Sequence, residues 1–220
     1  MFKLLKEQNK LPLTLLLMAM SILCFLLSVI RCMYSESLVY LFLNWNLFLA
    51  FVPWAFSTCL LLKPEWHRNK LVVISLLFCW LLFFPNAPYI LTDLFHLHGK
   101  VSAPVWFDLV LILAYAWTGL LFGFVSLFDI EGFLQKFMSK KWIPLLSVVL
   151  LFVGSYGIYL GRFERWNSWD ILSEPGSLLL SITERFTNPS DHPRTWGVTI
   201  LMGILLNMIY WSFKMLRTSK

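Results

Sequence analysis

Charge is what this chain has least of. Only 14% of its 220 residues are Asp, Glu, Lys or Arg, whereas a soluble domain carries about a quarter, so it lacks the means to cover itself with a water-compatible surface. A large soluble core does not resolve the deficit, because a chain this short has too little interior to hide a 59% hydrophobic composition. Cysteine is scarce as well, and Cys24, Cys32, Cys59 and Cys79 lie mostly inside apolar runs. With no CxxC and no Cys/His metal spacing, neither a cysteine-type zinc site nor a disulfide framework is indicated. HExxH, GxSxG and an Asp-rich metal loop are missing too, which removes the recognised catalytic motifs. The apolar runs carry no ionisable group near their middles and the two halves show no internal repeat, both of which weigh against a transporter.

What is present is apolar sequence in lengths that match a bilayer. A spanning helix needs about 20 apolar residues to cross roughly 30 Å of hydrocarbon, and six stretches qualify: 11–30, 38–62, 71–91, 104–128, 142–160 and 196–213. The expected fold is therefore all-α, a polytopic membrane helix bundle forming one integral membrane domain over residues 1–220. Lys3, Lys6 and Lys10 precede the first run as in a secretory signal, but a small-residue cleavage site is missing, so the run reads as a retained first helix.

The formal charge of +6 does not point to nucleic acid, because the basic residues cluster between apolar runs instead of forming a stripe among exposed aromatics. Twelve Lys and Arg fall on the side of the two ends, 63–70 and 136–141, and six fall opposite: Arg31, Lys100, Arg162, Arg165, Arg185 and Arg194. The richer side should be cytoplasmic, which predicts a multi-pass protein of a bacterial inner (cell) membrane with both termini inside. Membrane lipid is the expected partner.

Within the second span, Asn44, Asn46 and Pro53 read as a kinked helix whose amides bond to neighbouring helices. Trp142, Trp166, Trp169, Trp196 and Trp211, near span ends, read as interfacial anchors. In the long last outer loop, Leu178, Leu179, Ile182 and Phe186 recur at helical spacing. They predict a short interfacial helix capped by Ser173, with Glu174 and Pro175 in its first turn and Asn188-Pro189 ending it. It could lie on the membrane or pack on the bundle.

Two outer segments exceed plain membrane architecture. In Phe84-Pro85-Asn86-Ala87-Pro88-Tyr89-Ile90-Leu91-Thr92-Asp93-Leu94-Phe95-His96-Leu97-His98, two prolines are expected to break the third helix, which restarts with Asn86 as cap. Asp93 and His96 would then share a face, either to ligate a divalent metal or to run acid–base chemistry; the plain alternative is a pair that only caps the loop. His98 falls on another face. The second segment is Gly161-Arg162-Phe163-Glu164-Arg165-Trp166-Asn167-Ser168-Trp169-Asp170-Ile171, where arginine forks suit a phosphate or carboxylate group. A structural network is the alternative, with Arg162 or Arg165 pairing with an acid on a neighbouring helix. Asp108, one turn inside the fourth span, needs such a partner, since a carboxylate costs roughly 2.5–3.5 kcal/mol at mid-bilayer and less near the edge. In the clamp reading, Arg165 would be that partner.

Pro85-Asn86-Ala87-Pro88-Tyr89-Ile90 with Thr92-Asp93-Leu94 and His96, followed by Arg165 and Asn167-Ser168-Trp169-Asp170, resembles an uncharacterised family of bacterial membrane proteins, domain-of-unknown-function family 1361. The resemblance covers most of the chain. It implies a multi-span membrane protein and no established activity.

Three functions fit the residues. In an outer-face membrane enzyme, Asp93, His96, Asp108 and Asp170 would be catalytic, with Asp93 and His96 as metal ligands. Arg162, Arg165, Asn167, Asn86 and Tyr89 would then hold an anionic or lipid-linked substrate. In a non-catalytic scaffold, assembly factor or accessory subunit the same cluster would be a folding clamp. A transporter would need a polar route past Asn44 and Asn46. Carboxylates and an imidazole converging on a cavity favour the enzyme, and buried Arg–Asp pairs without one favour the scaffold.

Overall fold

The computed structural model describes residues 10–98 and 103–218. It is all-helical among those residues, with six helices long and apolar enough to cross a membrane: Leu11–Ser35, Phe42–Leu62, Lys70–Leu97, Val105–Leu134, Lys140–Phe163 and Pro193–Arg217. The chain divides into two compact units, Met1–Phe133 and Leu134–Lys220.

In the first unit, α1 (Leu11–Ser35), α2 (Phe42–Leu62) and α3 (Lys70–Phe83) surround α5 (Val105–Leu134). Proline in the first turn opens α1, where its missing N–H leaves no intrahelical bond unmade. The Asn69 side chain caps α3 by accepting the Leu71 N–H at 3.0 Å. Most of α5 is buried, including Leu111, Ile112, Tyr115 and Leu127. Cys24 Sγ meets Thr118 Oγ1 at 3.4 Å midway along α1 and α5, and Trp80 Nε1 donates to Ser126 Oγ at 3.0 Å from α3.

The proline segment ends the α-helix at Phe83 and a new one begins at Asn86, as expected, but the chain stays on a helical path between them. Phe84 and Pro85 keep right-handed helical backbone, and a one-turn helix α4 (Asn86–Tyr89) tightens directly into the 3-10 helix Ile90–His98. Asn86 is not the cap, because its Nδ2 donates backwards to the Phe83 carbonyl at 3.0 Å. The segment is seated by two glycines one turn apart on α5: a Cβ at Gly119 would lie 2.7 Å from the Ala87 carbonyl oxygen, and one at Gly123 would lie 2.9 Å from Ala87 Cβ. Small residues four apart permit this close approach, as they commonly do between membrane helices.

In the second unit, α6 (Ile143–Phe163) packs on α9 (Pro193–Thr218), and the loop between them carries α7 (Asp170–Ser173) and α8 (Pro175–Thr187). Gly203 on α9 makes room for the Phe152 ring, 2.2 Å from where a Cβ would stand. The predicted loop helix is α8, and Asn188 ends it. Ser173 does not cap it: Ser173 closes α7, and Glu174 stands at the cap position without a side-chain bond. Its face is also shifted from the expected one. Arg185 is buried and Leu178, Ser181 and Ile182 are half-buried, whereas Leu179, Leu180 and Phe186 are exposed.

Candidate functional site

The first unit gathers its polar groups where α1 ends and α2 and α5 begin. Arg31, still inside α1, donates from Nε to Asp108 Oδ1 at 3.0 Å, from Nη2 to Oδ2 at 3.4 Å, and from Nη1 to the Ser37 carbonyl at 3.2 Å. Its guanidinium lies 4.6 Å over the Tyr40 ring. Both charged side chains are 1% exposed. Two ions taken out of water are tolerated only with such paired geometry, and here the fork is bidentate.

Tyr40 extends this pair, because its hydroxyl donates to the His96 carbonyl at 3.1 Å. On the same 3-10 helix, Asp93 is buried and accepts from Asn46 Nδ2 at 2.8 Å, with His96 Nε2 4.0 Å from its Oδ1. In a 3-10 helix residues three apart eclipse, which brings the two together. The imidazole is half exposed, at 49%, and packs edge-on against Phe42. Asn44 bridges helices, donating to Ser28 Oγ at 3.1 Å and accepting from the Tyr115 hydroxyl at 2.7 Å. Asn86 and Tyr89 sit half-buried on α4, below this helix in sequence.

An apolar groove of about 640 Å³ runs beside these bonds, lined chiefly by Leu17, Leu47, Phe51, Trp54, Leu62 and Phe122, with Asn44 at one extreme of its α2 wall. At the other end of α1, Lys10 pairs with Asp129, which also accepts from Ser57 Oγ at 3.0 Å.

The second unit has its own charged cluster. Arg185 Nη2 lies 2.6 Å from Glu164 Oε2, the Tyr159 hydroxyl donates to Glu164 Oε1 at 2.7 Å, and Arg185 also bonds Ser181 Oγ at 2.7 Å. Burial disfavours the charged forms of both groups, but the mutual pairing outweighs it. Hydrogen bonds from Tyr159 and Arg185 hold the Glu164 carboxyl below its ordinary range, and Glu164 with Tyr159 raises Arg185.

Residues 45–209 match the family described as "Protein of unknown function (DUF1361)". The chain belongs to that family. No curated protein and no solved structure matches it. The family's matched span includes Asp93, His96, Asp108, Glu164 and Arg185, while Arg31 and Lys10 lie ahead of it.

Several expected site residues have other occupations. Asp108 is paired with Arg31 of α1 and not with Arg165; the apolar run simply extends helical for one more turn than was read, carrying Arg31 into the interior. Arg165 is exposed and adopts the left-handed conformation (φ 62°) that ends α6, where the Trp166 N–H bonds the Leu160 carbonyl at 3.1 Å. Asp170 closes a local turn, accepting from the Asn167 backbone at 2.6 Å and its side-chain amide at 3.2 Å. Arg162 is half-buried near the end of α6. The His98 side chain and Lys100 lie outside the described residues. Asp93 and His96 offer two metal ligands, and among the described residues no group of three or more His, Cys, Asp or Glu could hold an ion. Arg31, Tyr40, Glu164 and Arg185 were missed as site residues. A signal existed for the first: the buried residues Leu17, Cys24, Ser28 and Arg31 form one helical stripe.

Proposed function

We propose that this family member is a non-catalytic membrane protein that holds the hydrocarbon chain of a lipid, its polar cluster serving as the clamp that shapes the holding surface. The apolar groove along α1 and α2 carries the reading. Its α2 wall runs from Asn44 to Leu62, about 27 Å at 1.5 Å per residue, close to the thickness of a bilayer's hydrocarbon. Its volume falls in the range of about 300–1,000 Å³ usual for ligand pockets. The neighbouring Arg31–Asp108 pair and the Asn46–Asp93 bond support it, since those polar groups are engaged with one another.

The test is native mass spectrometry of protein extracted in mild detergent. Wild type should retain lipid, and Ala55→Trp, which fills the groove from α2, should retain markedly less at unchanged thermal stability. Equal retention by both proteins would sink the reading.

A second reading rests on one observation, the half-exposed imidazole of His96 beside the buried carboxylate of Asp93. An enzyme of the outer face acting on a lipid-linked substrate would use that pair as ligand or as base and orienter. Metal analysis of the purified protein beside Asp93→Asn and His96→Ala separates the two. Near-stoichiometric divalent metal in wild type, lost in both variants, favours the enzyme.

A further inference from the structure

The second unit contains a concentration of buried polar atoms that no protein group satisfies. Arg185 Nε, Tyr156 Oη, Trp196 Nε1, Thr195 Oγ1 and Thr199 Oγ1 all lack a hydrogen-bond partner. Aromatic rings wall the place, and the register that sets Gly203 of α9 against Phe152 of α6 brings Thr199 level with Tyr156 and Thr195 and Trp196 about a turn beyond it. The Tyr156 and Trp196 rings stack with centroids 6.3 Å apart, and Phe186 packs 5.6 Å from the first and 5.1 Å from the second. The Arg185 guanidinium stands 6.0 Å over Tyr159, one turn along α6 from Tyr156. Thr195, Trp196 and Thr199 occupy the first two turns of α9, with Thr195 fully buried and Thr199 and Arg185 each 6% exposed.

A buried donor left unpaired costs about 1–3 kcal/mol, and native interiors leave few of them. Five in one place call for an occupant, and its chemistry follows from theirs. The guanidinium Nε and indole Nε1 can only donate, and the three hydroxyls can donate as well. The site therefore wants an acceptor with several oxygens. The start of a long helix adds partial positive charge. Glu164, the carboxylate at this cluster, has both oxygens covered, one by Tyr159 and one by Arg185.

We propose that Tyr156, Arg185, Thr195, Trp196 and Thr199 form a binding site for a phosphate group, borne by a lipid headgroup or free. It belongs to the second unit and the lipid-chain groove to the first, and neither claim needs the other.

The experiment is calorimetry on the full chain in detergent, titrated with dioctanoyl phosphatidate, dioctanoylglycerol and inorganic phosphate. The variants Tyr156→Phe, Thr195→Val and Thr199→Val each delete one unpaired donor with little change of shape. Without ligand they should be as stable as wild type or slightly more so, because an unsatisfied group has gone. Each should weaken phosphatidate binding about tenfold, or 1.4 kcal/mol. Binding of phosphatidate alone assigns the site to a lipid headgroup. Inorganic phosphate binding with the same sensitivity to the variants assigns it to the free anion. Binding of dioctanoylglycerol as tight as phosphatidate, binding of neither phosphate probe, or binding indifferent to all three variants overturns the proposal and leaves the cluster filled by water.

Discussion

Arg31–Asp108 and Glu164–Arg185 are both arginine–carboxylate pairs joined to a tyrosine, yet their surroundings differ. Arg31 and Asp108 are 1% exposed, Arg31 has acceptors at all three nitrogens, and Tyr40 carries its hydroxyl onward to the His96 carbonyl. The side chains of Arg185 and Glu164 are 8% and 28% exposed, Arg185 Nε has no partner, and four more unpaired atoms lie on α6 and the start of α9 in the same unit. A charge pair whose every group is satisfied fixes the fold and has nothing left to offer. One that borders unsatisfied donors still has bonds to make, which is the physical difference between a clamp and a site.

The comparison breaks most visibly at the clamp. Arg31→Ala or Asp108→Ala should each cost about 3–5 kcal/mol, because a buried charge is stranded. Either should sharply reduce the folded fraction seen by size-exclusion chromatography in detergent. The double variant Arg31→Met, Asp108→Leu should recover most of that loss, and failure to recover would mean the pair does more than neutralise itself. Next in size is Gly119→Ala, expected to cost about 1–3 kcal/mol by overpacking against Ala87, read as a lower thermal midpoint. Gly197, with open space around its Cβ position, is the control, and Gly197→Ala should leave the midpoint unchanged or raised.

The second unit should respond to acid. Because the folded Glu164 carboxyl titrates below its ordinary value, its stabilisation is complete above the unfolded pKa of about 4.3. It is lost as pH falls through the lower folded value. Thermal melts of wild type should therefore drop below pH 4.3 more than those of Glu164→Gln; parallel curves would refute the pairing. Smaller still is Asp93→Asn, where the Asn46 bond weakens and the carboxylate beside His96 becomes a neutral amide. It should shift stability by about 1 kcal/mol, while His96→Ala, at a half-exposed position, should shift it less.

The six spans were legible because crossing a bilayer imposes length and hydropathy on local sequence, and no partner is needed to read them. Helix ends were less so. Reading α1 to residue 30 put Arg31 in a loop, and that single boundary concealed the partner of Asp108. Asp93 and His96 were visible because three-residue spacing is a local property. Glu164–Arg185 was not, since its members are 21 positions apart and meet only when α8 folds back, which no periodicity within either segment announces. The proline segment was read in part for a related reason: Pro85 and Pro88 announced the end of the α-helix and its restart, but the glycines that seat the restarted turn lie more than thirty residues downstream.

Lys10 and Arg31 are 21 residues apart on α1, and their partners Asp129 and Asp108 are 21 apart on α5. At 1.5 Å per residue both intervals are about 31 Å, near the hydrocarbon thickness of a bilayer. Two rods pinned together at both ends over equal lengths form a gauge. Neither can slide a turn past the other without parting both pins. A thinner or thicker bilayer is therefore met by α1 and α5 leaning as one body, and the distance between the two pins becomes the thickness this protein is cut to fit.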